Sequence, residues 1–379
     1  MAERIVLTGL TWDHPRGYDP LIAASEMYFK THQVQVNWTK RSLTAFGDQS
    51  LENLSKQFDL LVIDHPHVGE AAFKGLFTPI DTILSKENIV KMSTSFAGPS
   101  WPSYYYKSHQ WAVPIDAAVQ TAAMKYTDTQ ALEWPSDWQA AFQLADRLRS
   151  TDRWVAMALC PTDCLCTFLS LTASMDSPIM EGDTEFLNPE VACQALTLMA
   201  QMRDKFHPNS LEWNPIQLYD YMVMNKEIVY SPLAFCYSSY VQMNDQTHGL
   251  QFGPPPVINP VLGGAGLAIS SNGAHQIQAA HFAAWLCSAA IQRSVYLNNH
   301  GQPAATAAWR CEENEHLQRK FFNNILPVIN HAYVRPRQVG WPSFQTHLGE
   351  KIHACLKQRR QAHEVVKELS SDYRRTFQH

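Results

Sequence analysis

Four short clusters along the chain carry side chains able to do chemistry. The first, Trp12-Asp13-His14 with Tyr18 close behind, sets an aromatic face beside a carboxylate and an imidazole. An indole stacks on a sugar-like ring, and a carboxylate accepts protons from hydroxyl or ammonium groups. The plain alternative is a core tryptophan beside a turn aspartate. The second cluster, Asp64-His65-Pro66-His67, offers three polar ligands in one tight stretch. Such neighbours converge on one metal ion only when a turn aims them, so hydrogen bonding or simple loop structure is the expectation and no metal site is assigned. Asp116 and Gln120 form the third. A buried aspartate there must be paired or hydrogen-bonded, either by a ligand or as the cap of a helix starting near Ala117. The fourth is Cys160, Thr162 and Asp163, with Cys164 and Cys166 following. At a helix N-terminus, free amide protons and the dipole favour an anion or a polarised oxygen. The same field would lower the Cys160 thiol pKa and make it a candidate nucleophile, against the alternative of a small packing residue. The C-x3-C-x-C spacing is not that of structural zinc.

The elements that position these clusters follow from hydrophobic period. Arg4 to Leu10 reads as a strand, and Asp19-Pro20 as the cap and first residue of a helix from Leu21 to Lys30. Gln33 to Trp38 alternates as a half-buried strand, Ser50 to Phe58 has helical spacing, and Asp59 to Ile63 is an apolar strand. This β-α-β-α-β theme implies a largely parallel sheet whose ligands lie beyond the carboxyl ends of its strands, where the first two clusters fall. Further on, Gln110 to Gln120 and Trp154 to Leu159 read as strands, Trp138 to Arg149 as a helix, and Cys160-Pro161 opens a helix through Thr172. Residues 251–266 are rich in Pro and Gly, which suits a crossover between lobes. A short strand from Leu267 to Ser271 follows, then a helix from Gln276 to Ile291 with Ile277, Ala280, Ala284, Cys287 and Ile291 on its inner face. From Cys311 onward the pattern is mostly helical.

A length of 379 residues suits two lobes rather than one core. With 45% apolar and 17% charged residues the chain reads as globular, and a net charge of −5 gives no footprint for nucleic acid. No run of apolar residues is long enough to insert in a membrane. Met1 to Gly9 reads as a strand with Glu3 and Arg4 before it rather than as a secretory leader. The location expected of the sequence as it stands is cytoplasmic, or periplasmic if a leader has been trimmed. All eight cysteines fall between Cys160 and Cys355, a scatter that reads as reduced thiols.

In order and spacing these pieces resemble the family 1 extracellular solute-binding proteins of ABC importers, relatives of maltose-binding protein. The resemblance is carried by Trp12 to Pro20 after the first strand, Asp59 to Pro66 at the third, and Trp111-Ala112-Val113-Pro114-Ile115-Asp116-Ala117 as a first crossing. Gly263 to Ser270, then Gly301-Gln302-Pro303, resemble the return, and Arg335-Pro336 with Phe344 the C-terminal region. It implies a two-lobed periplasmic-binding-protein-like α/β fold with an interlobe cleft, hinge closure and a helical C-terminal region. The lobes are expected at 1–113 with 264–312, and at 114–263 with 313–379. It also adds Tyr230, Tyr237, Gly301 and Gln302 to the ligand-binding candidates Trp12, Asp13, His14, Tyr18, Asp64, His65, His67, Asp116, Gln120, Cys160, Thr162 and Asp163.

The expected function is capture of a small polar solute, sugar-like or otherwise hydroxylated, with no cofactor and, if the protein is exported, an ABC permease as partner. The rival is a cytosolic lyase, isomerase or hydrolase in the same cleft, with His14, His65, Asp116 and Cys160 as its acids, bases and thiol.

Overall fold

The computed structural model describes residues 4–43, 50–125, 133–183, 185–241 and 249–378; Met1, Ala2 and Glu3 of the opening segment lie outside them. The chain divides into two compact units. Unit 1 comprises Met1–Ala117, Gly263–Asn314 and Arg337–Pro342; unit 2 comprises Ala118–Leu262, Glu315–Pro336 and Ser343–His379.

In unit 1, strands β1 (Ile5–Trp12), β2 (Val34–Arg41) and β3 (Leu60–Ile63) alternate with helices, the first being α1 (Pro15–His32). β1 pairs in parallel with both β2 and β3. The Leu-Leu-Val-Ile run of β3 is wholly buried, as a strand covered on both faces must be. A small hairpin, β4 (Tyr105–Tyr106) with β5 (His109–Gln110), precedes the long strand β6 (Ala112–Lys125). Leu10, Leu61, Ile63, Val68, Phe77, Tyr104, Trp111 and Ala268 belong to one apolar core.

In unit 2, the second half of β6 is flanked by antiparallel β8 (Ile228–Phe235) and β9 (Leu250–Gly253), and the short β7 (Trp154–Val155) runs parallel to β8. The helices are α2 (Trp138–Arg149), α3 (Pro161–Ser174), α4 (Pro189–Lys205) and α5 (Pro215–Met224). Strand β10 (Leu262–Ile269) then leads into unit 1, where it pairs antiparallel to β3 and is followed by α6 (Gln276–Leu286). The order in the unit 1 sheet is therefore β2-β1-β3-β10. Three longer helices complete the chain, α7 (His316–Ile329), α8 (Trp341–Gln358) and α9 (Ala362–Phe377), with α9 packed on α4. Phe344 and Tyr373 meet edge to face at 5.2 Å and anchor these last helices to each other.

Several local expectations are corrected. Helix α1 begins at Pro15, six residues before Leu21, and Pro20 lies inside it. Pro15 supplies the N1 advantage assigned to Pro20, while His14 caps the helix by accepting the Arg16 amide proton on Nδ1 at 3.1 Å. No helix starts near Ala117, because β6 continues through Lys125, so Asp116 is not a helix cap. The strand expected over Trp154 to Leu159 pairs only at Trp154 and Val155. Beyond it the backbone turns to other partners, Leu159 donating to the Ser210 carbonyl at 2.9 Å. Ile277, expected on the inner face of its helix, is 58% exposed.

Two strands carry the chain between units, β6 at Ala117-Ala118 and β10 at Leu262-Gly263. Gly264 sits just past the second passage with φ +104, and a Cβ there would fall 2.3 Å from the Asp116 carbonyl oxygen. Only glycine meets both demands, the left-handed backbone and the close approach.

Candidate functional site

In unit 1 the strand order β2-β1-β3 brings the carboxyl ends of β1 and β3 side by side, the edge at which open parallel sheets hold ligands. The β1 end is built around Trp12. Its indole is buried, and a Cβ on Gly17 would come within 2.2 Å of it. The Thr11 hydroxyl donates to the Gly17 carbonyl at 2.7 Å, which ties the strand end to the first turn of α1. Trp12 therefore shapes the turn with its body. Asp13 points outward to Lys40 at 2.9 Å, and the same ammonium lies 4.5 Å from the centroid of the Tyr18 ring. At the β3 end, Asp64 Oδ1 accepts the His65 amide proton at 2.8 Å and starts a short 3-10 turn. His65 and His67 are buried, and the His65 ring stands edge-on to Tyr104.

Asp116 supplies the sharpest feature. Its carboxylate is bound bidentately by Arg16, from Nε at 2.7 Å and from Nη2 at 2.5 Å, with both side chains buried. Burial pushes the Asp116 carboxyl up from its ordinary value, while the guanidinium pulls it down. Arg16 was missed by sequence reasoning. Its only signal was a cation in the turn after a strand. The partner sought for Asp116 in a ligand is thus an internal one. Gln302 joins the same region, fully buried, with Nε2 donating to the Ala117 carbonyl at 2.7 Å. Gly301 lies so close under Tyr296 that a Cβ would fall 2.3 Å from its ring. Gln302 holds the crossing strand in place, and Gly301 fits the preceding turn under Tyr296.

In unit 2 the parallel neighbours β7 and β8 lead to two further groups of candidates. After β7 the chain reaches Cys160, the N-cap of α3, whose thiol donates to Asp163 Oδ2 at 3.1 Å. The helix N-terminus does not activate this thiol. Burial and the Asp163 carboxylate both push its pKa well up, which favours the neutral packing thiol over the nucleophile of the two readings. Asp163 itself, 4% exposed, is pushed up to about 7 by burial, with the Cys160 contact opposing. Thr162 is exposed beside it. Just past β8, Tyr237 is buried and packs edge-on to Tyr219 of α5. Tyr230 lies further back on β8 in the sheet core, tilted against Trp134, with no hydrogen-bond partner for its hydroxyl among the described residues. Gln120 accepts from the Ser170 hydroxyl at 2.6 Å, and Ser170 in turn accepts the Val261 amide proton at 2.8 Å. That chain of bonds ties the two crossing strands together on the unit 2 side.

The candidates thus gather in two sets. Trp12, Asp13, His14, Tyr18, Asp64, His65 and His67 occupy strand ends of unit 1, while Cys160, Thr162, Asp163 and Tyr237 follow strands of unit 2. Asp116, Gln120 and Gln302 serve the crossing strands, and Gly301 the turn under Tyr296. All eight cysteines are free thiols. Among the described residues no group of three or more His, Cys, Asp or Glu side chains is disposed to hold a metal ion.

The family model for bacterial extracellular solute-binding proteins matches residues 23–308, and the chain belongs to that family. Solute binding is the role the family description carries, and the fold is that of the two-lobed periplasmic binding proteins. A solute-binding protein of Thermotoga lettingae TMO solved with α-D-tagatose is 14% identical, with TM-score 0.82, and covers 98% of this chain and 100% of its own. One from Agrobacterium radiobacter K84 in complex with ribitol is 17% identical, with TM-score 0.79 and 98% of each chain covered. Maltose-bound MalE3 of T. maritima is 15% identical, with TM-score 0.79, covering 97% of this chain and 99% of its own. No curated protein matches by sequence. Among the described residues no helix is long and apolar enough to cross a membrane.

Proposed function

We propose that the solute is hydroxylated and sugar-like, that it is captured outside the cytoplasmic membrane, and that it is handed to an ABC permease. The observation that carries this reading is the family match over about three quarters of the chain, residues 23–308. The solved structures of like fold, bound to a ketose, a polyol and a disaccharide, support the hydroxylated class. The candidate contacts within unit 1 are the strand-end residues from Trp12 to Tyr18 and from Asp64 to His67, and those within unit 2 are Cys160, Thr162, Asp163, Tyr230 and Tyr237. Asp116 and Gln120 act from β6, and Gly301 and Gln302 from the segment that follows α6. Binding without turnover is supported at two of the four groups an enzyme would use, Asp116 and Cys160. Asp116 is engaged by Arg16, and the Cys160 thiol is held protonated by its surroundings.

A thermal-shift screen of ketoses, polyols and disaccharides tests the reading. The expected result is saturable stabilisation by at least one of them with the compound recovered unchanged. Stabilisation only by hydroxyl-free solutes contradicts it.

A further inference from the structure

Asp163 stands out among the acidic side chains of unit 2. It is 4% exposed and forms no ion pair with any described residue. Its single side-chain contact is the Cys160 thiol, a weak and neutral donor. A carboxylate removed from water needs a counter-charge or several strong donors, and one thiol supplies neither. The titratable groups around it are Cys160 and Cys164 of its own helix and Tyr219 of α5, whose phenol is pushed well up by burial first and then by Cys236, Tyr237, Asp163 and Tyr240. None of these is a cation.

The aromatic groups beside it are arranged as a cluster. Tyr219 meets Tyr237 at 6.4 Å, Tyr240 at 5.4 Å and Phe252 at 5.4 Å between ring centroids, and Tyr237 meets Tyr240 at 6.1 Å. The Tyr240 hydroxyl is satisfied by Asp220 at 2.7 Å. The Tyr219 hydroxyl is fully buried and has no hydrogen-bond partner among the described residues. An unpaired buried hydroxyl costs stability of the order of a lost hydrogen bond unless something else engages it.

We propose that the bound solute carries a protonated amine besides its hydroxyls, and that the amine is received by Asp163 and the Tyr219 hydroxyl within the tyrosine cluster. An alkylammonium carries enough N–H donors for a carboxylate and a hydroxyl oxygen, and tyrosine rings favour a neighbouring cation. It also supplies the missing counter-charge, which a neutral polyol does not. The proposal rests on the solute-binding reading and narrows its substrate class.

Burial pushes the Asp163 carboxyl up to about 7, so a proton competes with the amine below that pH. Affinity for an amine is therefore about tenfold weaker at pH 6 than at pH 8. The test uses a matched pair, N-methylglucamine, charged across this range, and sorbitol, its neutral counterpart. Binding of each is measured by thermal shift and calorimetry at pH 6 and pH 8 to wild type, Asp163→Asn and Tyr219→Phe. The expected result is saturable binding of N-methylglucamine at pH 8, at least tenfold tighter than sorbitol and weaker at pH 6. Asp163→Asn abolishes the preference and the pH dependence; Tyr219→Phe, which removes only a hydroxyl, reduces the preference several-fold. Equal binding of the two compounds, a preference that survives Asp163→Asn, or no binding of N-methylglucamine at pH 8 overturns the proposal. Sorbitol or another neutral polyol binding alone sinks the amine and leaves the solute-binding reading intact.

Discussion

Arg16 and Asp116, one hundred residues apart in sequence, form a buried bidentate pair that fastens the first turn of α1 to the last unit 1 residues of the crossing strand β6. Removing one partner strands a charge away from water. Arg16→Met is expected to cost about 3–5 kcal/mol in urea denaturation, whereas Arg16→Met with Asp116→Leu recovers most of that loss because no charge is left unpaired. An unchanged midpoint in the single variant would show that the pair is not under tension from burial.

Gly17 lies under the Trp12 indole, 2.2 Å from where a Cβ would stand. The contact is with a ring fixed by burial, so neither side can yield cheaply. Gly17→Ala should destabilise the protein by about 1–3 kcal/mol and shift its tryptophan fluorescence. A fully stable variant with an unaltered spectrum would mean that the β1-α1 turn is not built on this contact.

Asp163 carries a pH signature with a definite sign. In the folded protein its carboxyl titrates near 7, against an ordinary value of 3.8. Between those values the folded state holds a proton that the unfolded chain has released. Its contribution to stability is present at pH 4, declines as pH rises towards 7, and levels off above. Asp163→Asn is therefore expected to gain stability at pH 8, by up to about 4 kcal/mol, and to gain nothing at pH 4. Thermal unfolding across that range is the measurement; a variant less stable at pH 8 than at pH 4 relative to wild type would reverse the argument.

Cys160 should behave as an inert thiol although it caps a helix. Burial and Asp163 outweigh the local amide protons. Iodoacetamide at pH 8, followed by peptide mass spectrometry, should label Cys160 slowly and after Cys193 and Cys311, although all three are partly exposed. Preferential labelling of Cys160 would restore it as a reactive group.

Much of this architecture is legible in the residues, for identifiable reasons. Strand β2 and helix α2 follow from hydrophobic period, since each buries mainly one face, while β1 and β3 follow from short apolar runs. Helix starts are less legible where two prolines compete. Both Pro15 and Pro20 suit a first turn, and the contact of Trp12 with Gly17, invisible in sequence, decides between them. The extent of β6 was hidden because Ala, Val and Thr over residues 117–123 suit a strand interior and a helix start alike. Pairing was the main obscurity in the site. Asp116 reads as a residue in need of a partner, yet Arg16 is a hundred positions away. Cys160 reads as activated by its helix, but the opposing burial and the Asp163 charge depend on tertiary neighbours. Tyr219 gives no sequence signal beyond being one aromatic in an apolar helix, and only its unsatisfied hydroxyl marks it.

The central claim, reversible capture of a hydroxylated solute, is tested most directly by equilibrium dialysis of the purified protein against a mixture of tagatose, ribitol, maltose and their amino-substituted analogues, with mass spectrometry of what is retained. The account predicts retention of one class at one molecule per chain, released on denaturation with its mass unchanged. Retention of none of them, or release of a compound of altered mass, would contradict it.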